Sequence, residues 1–384
     1  MTNTIRSALP TEPGLASLRE PRGNVRDWLA KHAVADAGPG SVLFHAPSFT
    51  FQAPGGGENQ LVQTARHLEA GGIGVRLFSS WTDRIEDYRL LHLFGMSREG
   101  LELARVARRR GVPVVLSPIC WLEPQALFAL AGSRARGAWH WAKWKAKGAV
   151  PRIGGWRDDL IRAADAILPN SSAEAAQLAR LFRAPAGSLH VVPNGVDARF
   201  ADADPAAFRA GHGPGEFILY SGRIEPRKNV LGLIRAARRA GRPVVLIGDA
   251  PPGQEGYIAE CREAGRGLTT WYAGVDHDDP WLASAYAAAR VFALPSWFET
   301  PGLAALEASL AGTAVVITPN GCTREYFGDR VEYARPDRQA EIAAALGRAW
   351  DVGPHPDLRG RVRGHFLWTN VARRTAEAYD QLPR

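Results

Sequence analysis

The chain has 384 residues, a length that suits two domains better than one compact core. Its hydrophobic fraction of 46% and charged fraction of 22% are typical of a globular protein and exclude disordered and collagen-like classes. The three cysteines, Cys120, Cys261 and Cys322, form no C-x-x-C pair, so we expect neither a disulfide framework nor a zinc cluster and predict a reducing compartment. The net charge of +8 favours anionic partners such as phosphates, acidic lipid or nucleic acid.

Neither a secretory signal nor a membrane span is expected. Pro10, Glu12 and Pro13 interrupt the apolar core that a signal peptide would need. The most apolar long stretch, 112–131, contains three prolines and a glutamate, short of the ~20 clean apolar residues of a spanning helix. We therefore predict a cytoplasmic protein, either soluble or peripheral on the inner face of the cytoplasmic membrane.

Strands and helices alternate through the first half of the chain. Residues 1–40 are polar and irregular and are predicted to be an extension outside the core. Beyond them, continuous apolar runs of the kind found in buried parallel strands predict strands at 41–45, 74–79, 88–94, 112–117, 164–171 and 188–195. Helical patterns separate most of these runs, and this order is typical of a parallel sheet.

A second alternating set begins after residues 201–215, whose Ala, Asp, Pro and Gly content predicts a linker. Its predicted strands lie at 216–223, 242–250, 268–274, 289–296 and 313–321. We therefore predict an α/β protein with two doubly wound, Rossmann-like domains and a cleft between them. The predicted domains are 41–200 and 201–364, and 365–384 is predicted to be a final helix.

The segment SWFETPGLAALEASLAGTAVV predicts an anion site at a helix start. Thr300 stands where an N-cap belongs and Pro301 where the first helical residue belongs, so Gly302 and Leu303 would present free backbone N–H groups. Glycine at 302 also removes a side chain that would block a phosphate.

Two glutamates flank this predicted helix start. Glu299 precedes the helix, and Glu307 follows eight residues later on the same face. The spacing fits one long ligand with sugar hydroxyls near Glu299, a diphosphate over the helix start and ribose hydroxyls at Glu307. The alternative is an ordinary capped helix on which Glu307 is a solvated surface residue.

Two cations follow the strand predicted in FILYSGRIEPRKN. Arg223 comes directly after the strand, and Lys228 stands at the start of the next helix. Because ligands bind at the carboxyl ends of parallel strands, these cations could neutralise a leaving diphosphate without a metal ion. Arg227, a lone cation in a loop, is interpreted as solvated.

A third motif, APGGGEN, places Gly55, Gly56 and Gly57 between a strand and a helix, as in a phosphate-cradling turn. The G-x-G-x-x-G pattern is absent, and Glu58 would repel a bare phosphate. The alternative is a flexible turn without a function.

Taken together, these motifs resemble glycosyltransferase family 4, retaining sugar transferases of the GT-B fold. The resemblance covers nearly everything after residue 41, including ADAILPNS, VVPNGVDARF and a closing segment like the helix that crosses back to the first domain. It implies that the first domain binds the acceptor and the second the nucleotide-sugar donor. It further implies that Arg223 and Lys228 contact the diphosphate and that Glu307 contacts the ribose. Glu299 would contact the transferred sugar, and Gly56 and Gly57 would approach the donor across the cleft.

One position departs from the family pattern. Many members carry a sugar-contacting histidine in the loop where this chain has SPICW, with Ile119 at the aligned position. His92 belongs to the preceding strand and cannot simply replace it.

The function that the resemblance implies is transfer of a hexose from a nucleotide diphosphate sugar to a hydroxyl of a glycan or lipid-linked glycan. The anomeric configuration would be retained, no cofactor or metal would be needed, and the pathway would be cell-surface polysaccharide synthesis. The alternatives are a silent nucleotide-sugar-binding scaffold subunit and a sugar-nucleotide epimerase of the same fold. A metal-dependent GT-A design would use Asp202 with Asp204 or Asp276 with Asp278 as metal ligands. This design is disfavoured because a GT-A enzyme has no second doubly wound domain, whereas this chain is predicted to have one.

The segment 133–157 gathers tryptophans and cations and holds three of the five lysines of the chain, Lys143, Lys145 and Lys147. Indoles among amines suit the interface of an anionic membrane. The alternative is a surface helix that buries its tryptophans against the sheet. Nucleic acid is not expected, because no nucleic-acid-binding module accompanies these residues.

Overall fold

The computed structural model describes residues 29, 32, 40–47, 50, 55–149 and 155–382. The predicted extension, 1–40, lies almost wholly outside these residues. The described residues form two compact units, one of residues up to Gly195 together with 366–382, and one of Val196–His365. The units divide at 195/196 and 365/366, and the sequence-based boundaries were 200/201 and 364/365.

The first unit is built on a five-stranded parallel sheet of order β2-β1-β3-β4-β5. Its strands are β1 Val42–His45, β2 Val75–Leu77, β3 Leu90–Phe94, β4 Val114–Ser117 and β5 Ala166–Ile167. The connecting helices are α1 Gly56–Ala70, α2 Arg98–Arg109, α3 Pro124–Ala129, α4 Arg134–Ala149, α5 Trp156–Ala163 and α6 Ser172–Phe182. The central strands β1, β3 and β4 are fully buried, as their continuous apolar runs predict.

The strand predicted at 188–195 is wrong. This segment makes a single parallel bridge, between Leu189 and Ile167. The backbone N–H groups of His190 and Val192 do donate to the carbonyls of Ile167 and Pro169, at 2.9 Å each. Because Pro169 has no N–H to return a bond, the pairing cannot extend into a regular ladder.

The second unit is built on a six-stranded parallel sheet of order β11-β10-β9-β6-β7-β8. Its strands are β6 Ile218–Ser221, β7 Val244–Ile247, β8 Thr269–Tyr272, β9 Val291–Leu294, β10 Ala314–Ile317 and β11 Glu332–Tyr333. Its helices are α7 Ala206–His212, α8 Val230–Ala240, α9 Glu255–Gly265, α10 Pro280–Ala288, α11 Leu303–Ala311, α12 Thr323–Phe327, α13 Gln339–Val352 and α14 Pro356–His365. The predicted parallel strands are confirmed, and β11 is an additional two-residue edge strand.

The linker predicted at 201–215 is also wrong, because most of this segment is helical and packed. A 3-10 helix spans Ala198–Asp202, and α7 follows it. Phe208 on α7 is fully buried against Phe217 and Trp281, and its N–H donates to the hydroxyl of Ser284 at 2.8 Å. One aromatic anchor thus outweighs the loop-like composition around it.

The last helix, α15 Trp368–Asp380, belongs to the first unit, so the predicted return of the chain is confirmed. The Tyr379 hydroxyl lies 2.6 Å from Nδ1 of His92 on β3, and Trp368 packs against Gly195 so closely that a Cβ there would lie 2.7 Å from its indole. Within the described residues, no helix is both long enough and apolar enough to cross a bilayer.

Candidate active site

The helix at the centre of the predicted anion site begins two residues later than the sequence indicates. Gly302, with φ +90°, is the N-cap of α11, and Thr300 and Pro301 lie outside the helix. The positive φ of Gly302 turns the chain into the helix, and its carbonyl accepts from the N–H of Ala305 at 2.9 Å. The N–H groups of Leu303 and Ala304 have no acceptor among the described residues, so this first turn can still donate to an anion.

Lys228 and Glu299, two of the predicted site residues, contact each other directly. Lys228 ends a 3-10 helix, Pro226–Lys228, that follows β6, and its Nζ lies 2.6 Å from Oε1 of Glu299. The two side chains are 16% and 6% exposed. The structure therefore presents a nearly buried ion pair where sequence reasoning had assigned the two residues to separate parts of a ligand.

The backbone of Glu299 is fixed by the loop that follows β10. Its N–H donates to the Asn320 carbonyl at 3.2 Å, and its own carbonyl accepts from Cys322 at 2.9 Å. Gly321, at φ +94°, lies between these contacts, and a Cβ there would come within 2.0 Å of the Glu299 carbonyl oxygen. Sequence reasoning missed Gly321, although the Asn-Gly dipeptide after a strand signals a tight turn.

The electrostatics of the pair follow from its burial and its neighbours. Burial alone would raise the pKa of the Glu299 carboxyl, but the Lys228 and Arg227 cations outweigh it and hold that pKa below its usual value. Burial lowers the pKa of the Lys228 ammonium, and the attraction of Glu299 offsets this only in part. The carboxylate is thus ionised, and it depends on its cations to remain so.

Arg223 and Arg227 share a carboxylate partner beside this pair. Arg223 is 44% exposed and lies 3.4 Å from Glu225, and Arg227 lies 3.1 Å from the same carboxylate oxygen. Arg227 also stacks over the Phe298 ring at 5.3 Å. The interpretation of Arg227 as a solvated cation is therefore wrong, because residues distant in sequence hold it in the cluster. Arg223 is the more accessible of the two guanidinium groups.

Glu307 is buried, which overturns the alternative of a solvated helix residue. Its Oε1 lies 2.7 Å from Nε2 of His277, and its Oε2 accepts a hydrogen bond from the Tyr286 hydroxyl at 2.7 Å. Burial would raise the pKa of the Glu307 carboxyl, but His277 outweighs it and lowers the pKa. Sequence reasoning missed His277 and Tyr286, because neither belongs to a recognisable motif.

Gly56 and Gly57 lie in the other unit. Gly56 is the first residue of α1, and the Glu58 side chain accepts the N–H of Gly55 at 2.6 Å, so Glu58 caps its own helix. A Cβ at Gly57 would lie 3.6 Å from the Cδ1 atom of Ile119. Ile119, at the position that departs from the family pattern, therefore stands against this glycine-rich helix start.

The loop that carries Ile119 is held by α6. Glu174 is fully buried and accepts N–H bonds from Cys120 and Asn170, each at 2.7 Å, and Gln177 accepts from Leu122 at 2.8 Å. Ile119 has φ +46°, a strained conformation for a β-branched residue, and is 36% exposed. Burial raises the pKa of Glu174 to about 7.

His92 does not replace the missing histidine. It is fully enclosed, with Nε2 2.9 Å from the Ser117 hydroxyl and Nδ1 2.6 Å from Tyr379. Burial lowers the pKa of His92 to about 3, so the ring is neutral. Its contacts tie the first sheet to α15.

The acidic pairs considered for metal binding have other partners. Asp204 accepts the N–H of Ala206, the first residue of α7, at 2.9 Å, and Asp278 lies 3.7 Å from Nδ1 of His277. In the part of the chain that the structure describes, no group of three or more His, Cys, Asp or Glu residues is placed to hold a metal ion.

Comparison with solved structures identifies the fold. Sucrose-phosphate synthase from Thermosynechococcus elongatus superimposes with a TM-score of 0.68 at 20% identity, covering 89% of this chain and 98% of that one. Anabaena HepE in complex with UDP and glucose gives a TM-score of 0.66 at 19% identity, covering 89% and 100%. With its two parallel sheets and returning helix, the chain is a two-domain α/β protein of the GT-B type.

Sequence comparison identifies the family. Residues 207–352 match the family model for glycosyl transferases group 1, and 84–200 match that for glycosyltransferase family 4. D-inositol 3-phosphate glycosyltransferase from Nocardia farcinica is 33% identical over 244 residues, 58% of this chain and 53% of that protein. Glycogen synthase from Mycobacterium tuberculosis is 28% identical over 310 residues, covering 74% and 73%. The chain belongs to the group 1 glycosyltransferases, and it spans just over half the length of the first of these relatives.

Proposed function

We propose that the chain transfers a hexose from a nucleotide diphosphate sugar to a hydroxyl acceptor, with retention of configuration. The observation that carries this proposal is the buried Lys228–Glu299 pair at 2.6 Å, whose carboxylate stands in the segment that leads into the start of α11. A carboxylate and free helix N–H groups in one segment, with a cation from the loop after β6, supply donors for a diphosphate and an acceptor for sugar hydroxyls. Membership of the group 1 glycosyltransferases supports the same reaction.

Each group has a defined role in this proposal. Lys228, Arg223 and the N–H groups at the start of α11 bind the diphosphate and stabilise the charge that grows on it as the bond to the sugar breaks. Glu299 accepts a hydroxyl of the transferred sugar, and Glu307 accepts the ribose hydroxyls. The leaving phosphate takes the acceptor proton on the same face of the sugar, so no protein base is assigned. The role predicted for Gly56 and Gly57, which lie in the first unit, stays a prediction.

The proposed acceptor is a glycan or lipid-linked glycan at the inner face of the cytoplasmic membrane, in cell-surface polysaccharide synthesis. Helix α4 supports this, because Trp139 and Trp141 are 62% and 38% exposed. Lys143 lies 5.4 Å from the Trp139 ring, and Lys145 lies 4.9 Å from the Trp141 ring. Trp144 on the same helix packs into the core, so the helix has one inward indole and an outward cationic, aromatic face.

A panel of nucleotide sugars tests the proposal. UDP-glucose is the first candidate, since Anabaena HepE was solved with that molecule. Release of the nucleoside diphosphate is measured for UDP-, GDP- and ADP-sugars, with and without lipid-linked acceptor and with EDTA. We expect release with one donor, undiminished by EDTA, because two cations and a helix start already neutralise the diphosphate.

The controls distinguish the alternatives. Lys228→Ala is expected to lower turnover ~100- to 1,000-fold, whereas Arg266→Ala, which removes a 79% exposed cation of the same unit, leaves it unchanged. Binding without turnover would indicate a silent scaffold, and a change of sugar stereochemistry without release would indicate an epimerase. Activity that EDTA abolishes and manganese restores would overturn metal independence.

A further inference from the structure

Both oxygens of the Glu307 carboxylate are held by side chains that lie outside its helix. His277, in the loop between β8 and α10, places Nε2 2.7 Å from Oε1, and Tyr286 on α10 donates its hydroxyl to Oε2 at 2.7 Å. Glu307 is 5% exposed and Tyr286 is fully buried. Two short hydrogen bonds, one to each oxygen, therefore fix both the position and the plane of the carboxylate.

We propose that His277 and Tyr286 are positioning residues that orient Glu307 as a two-point acceptor for the vicinal hydroxyls of the donor ribose. This inference rests on the proposed function. Each carboxylate oxygen can accept about two hydrogen bonds. Among the residues that the structure describes, each oxygen has one partner, which leaves one acceptor site on each. Two parallel acceptor sites match the two adjacent hydroxyls of a ribose, and a carboxylate free to rotate would present them only part of the time.

The charges around His277 support this role. Burial alone would lower the pKa of His277, but Glu307 and Asp278 outweigh it and raise that pKa to about 9. Arg199, which donates to the backbone carbonyl of His277, opposes this increase. His277 is thus cationic at neutral pH and compensates the charge of the buried Glu307. An isolated buried carboxylate would tend to take up a proton and lose an acceptor site.

The ring of His277 is itself held in place. Its centroid lies 5.8 Å from that of Phe200, which belongs to the 3-10 helix that also carries Arg199. Its Nδ1 lies 3.7 Å from Asp278. A side chain that is 26% exposed and in contact with Phe200, Asp278 and Glu307 can keep the orientation of the Glu307 carboxylate.

The experiment measures how the loss of His277 and the loss of the ribose hydroxyls, alone and together, change the affinity for a nucleotide. Calorimetry first ranks UDP, GDP and ADP against the wild-type chain, and the tightest binder is compared with its 2′,3′-dideoxy counterpart. Hydrogen bonds to a charged group contribute strongly, so we expect the wild type to prefer the ribonucleotide ~10- to 100-fold. In His277→Ala this preference should fall to ~3-fold or less, with little change in binding of the dideoxy nucleotide.

Two further variants separate positioning from folding. His277→Gln keeps an N–H donor but not the positive charge, so it should regain part of the preference, and Tyr286→Phe should lose part of it. In turnover, His277→Ala should raise the KM for the donor with little change in kcat, because the ribose contact is the same in the ground and transition states.

The outcomes are distinct. If His277→Ala weakens the ribonucleotide and the dideoxy nucleotide by the same factor, the role of His277 is structural and the inference is overturned. A preference unchanged in His277→Ala overturns it as well. If the wild type binds a nucleotide but does not distinguish the two forms, Glu307 does not contact the ribose, whereas failure of the wild type to bind any nucleotide overturns the proposed function itself.

Discussion

The Lys228–Glu299 ion pair should show strong energetic coupling. The perturbation is a double-mutant cycle of Lys228→Met, Glu299→Gln and the double variant, in which both replacements keep length and remove charge. Each single change leaves one charged side chain without its partner in a nearly buried position. The Glu299 side chain is 6% exposed and the Lys228 side chain is 16% exposed. Removing one partner of a buried pair typically costs ~3–5 kcal/mol, because the other charge loses its compensation.

The double variant removes both charges together. It should therefore be destabilised by less than the sum of the single variants, with a coupling free energy on the order of 1–3 kcal/mol. Arg227 limits the size of this coupling free energy, because it also stabilises the Glu299 carboxylate and would remain in Lys228→Met. The assay is urea unfolding with hydrogen exchange at the amides of the second unit, which assigns the transition to that unit.

The same cycle has a pH dependence with a defined sign. The pKa of Glu299 is lower in the folded chain than its usual value of 4.5. Its contribution to the free energy of unfolding is therefore complete above pH 4.5 and is lost as the pH falls through the lowered pKa. We expect smaller coupling at acid pH than at pH 7. Additive single variants at pH 7, within ~0.5 kcal/mol, would refute the buried pair.

Activity should not follow stability in this series. Lys228→Met loses a cation that stabilises the departing diphosphate, a contact of ~2.7–4 kcal/mol in the transition state. The double variant is destabilised by less than the sum of the single variants but gains no cation, so its turnover should stay as low. A double variant with restored turnover would show that Lys228 acts on Glu299 and not on the diphosphate.

Three other predictions concern the surroundings of the site. The pKa of Glu174, raised to about 7 by burial, means that the folded chain binds more protons than the unfolded chain between pH 4.5 and 7. The free energy of unfolding should therefore fall as pH rises through that window, by at most ~1.4 kcal/mol per unit, and Glu174→Gln should remove this slope. Gly321→Ala should displace the Glu299 backbone and lower both the melting temperature and turnover, whereas Gly347→Ala, a helix-interior change whose Cβ would meet no atom within 4 Å, should lower neither. Charge reversal of Lys143 and Lys145 to Glu should release the chain from phosphatidylglycerol vesicles in flotation while turnover on a soluble acceptor is kept, and absence of wild-type binding at low salt would refute the membrane face.

Most of the sheet architecture could be predicted from the sequence, because buried parallel strands are continuous apolar runs that composition makes visible. The predictions of a linker and of a strand failed where a single residue determined the structure of its segment. Phe208 anchors a segment that otherwise reads as a linker, and Pro169 limits a segment that otherwise reads as a strand. The helix start moved from Pro301 to Leu303 because the positive φ of Gly302 turns the chain only after the proline.

The site residues were predicted individually, but their contacts were not. Lys228 and Glu299 are 71 residues apart in the chain, and His277 and Glu307 are 30 apart. Local patterns identify residues of suitable chemistry near strand ends and helix starts, but pairing across such distances depends on the order of strands in the sheet. Arg227 was misinterpreted for the same reason, because its Phe298 contact is equally distant in sequence.

The order of the second sheet explains why these residues meet. Strands β10, β9 and β6 are neighbours and all run parallel, so the loops that follow them emerge side by side at one edge. Lys228 follows β6, Glu299 follows β9 and Gly321 follows β10, so three segments far apart in the chain become adjacent. The central loop carries the carboxylate, and its two neighbours supply the cation and the backbone contacts that hold it. Since this arrangement needs only the strand order and a residue without a side chain at 321, the roles assigned to Glu299 and Lys228 depend on the topology of the sheet as much as on their own chemistry.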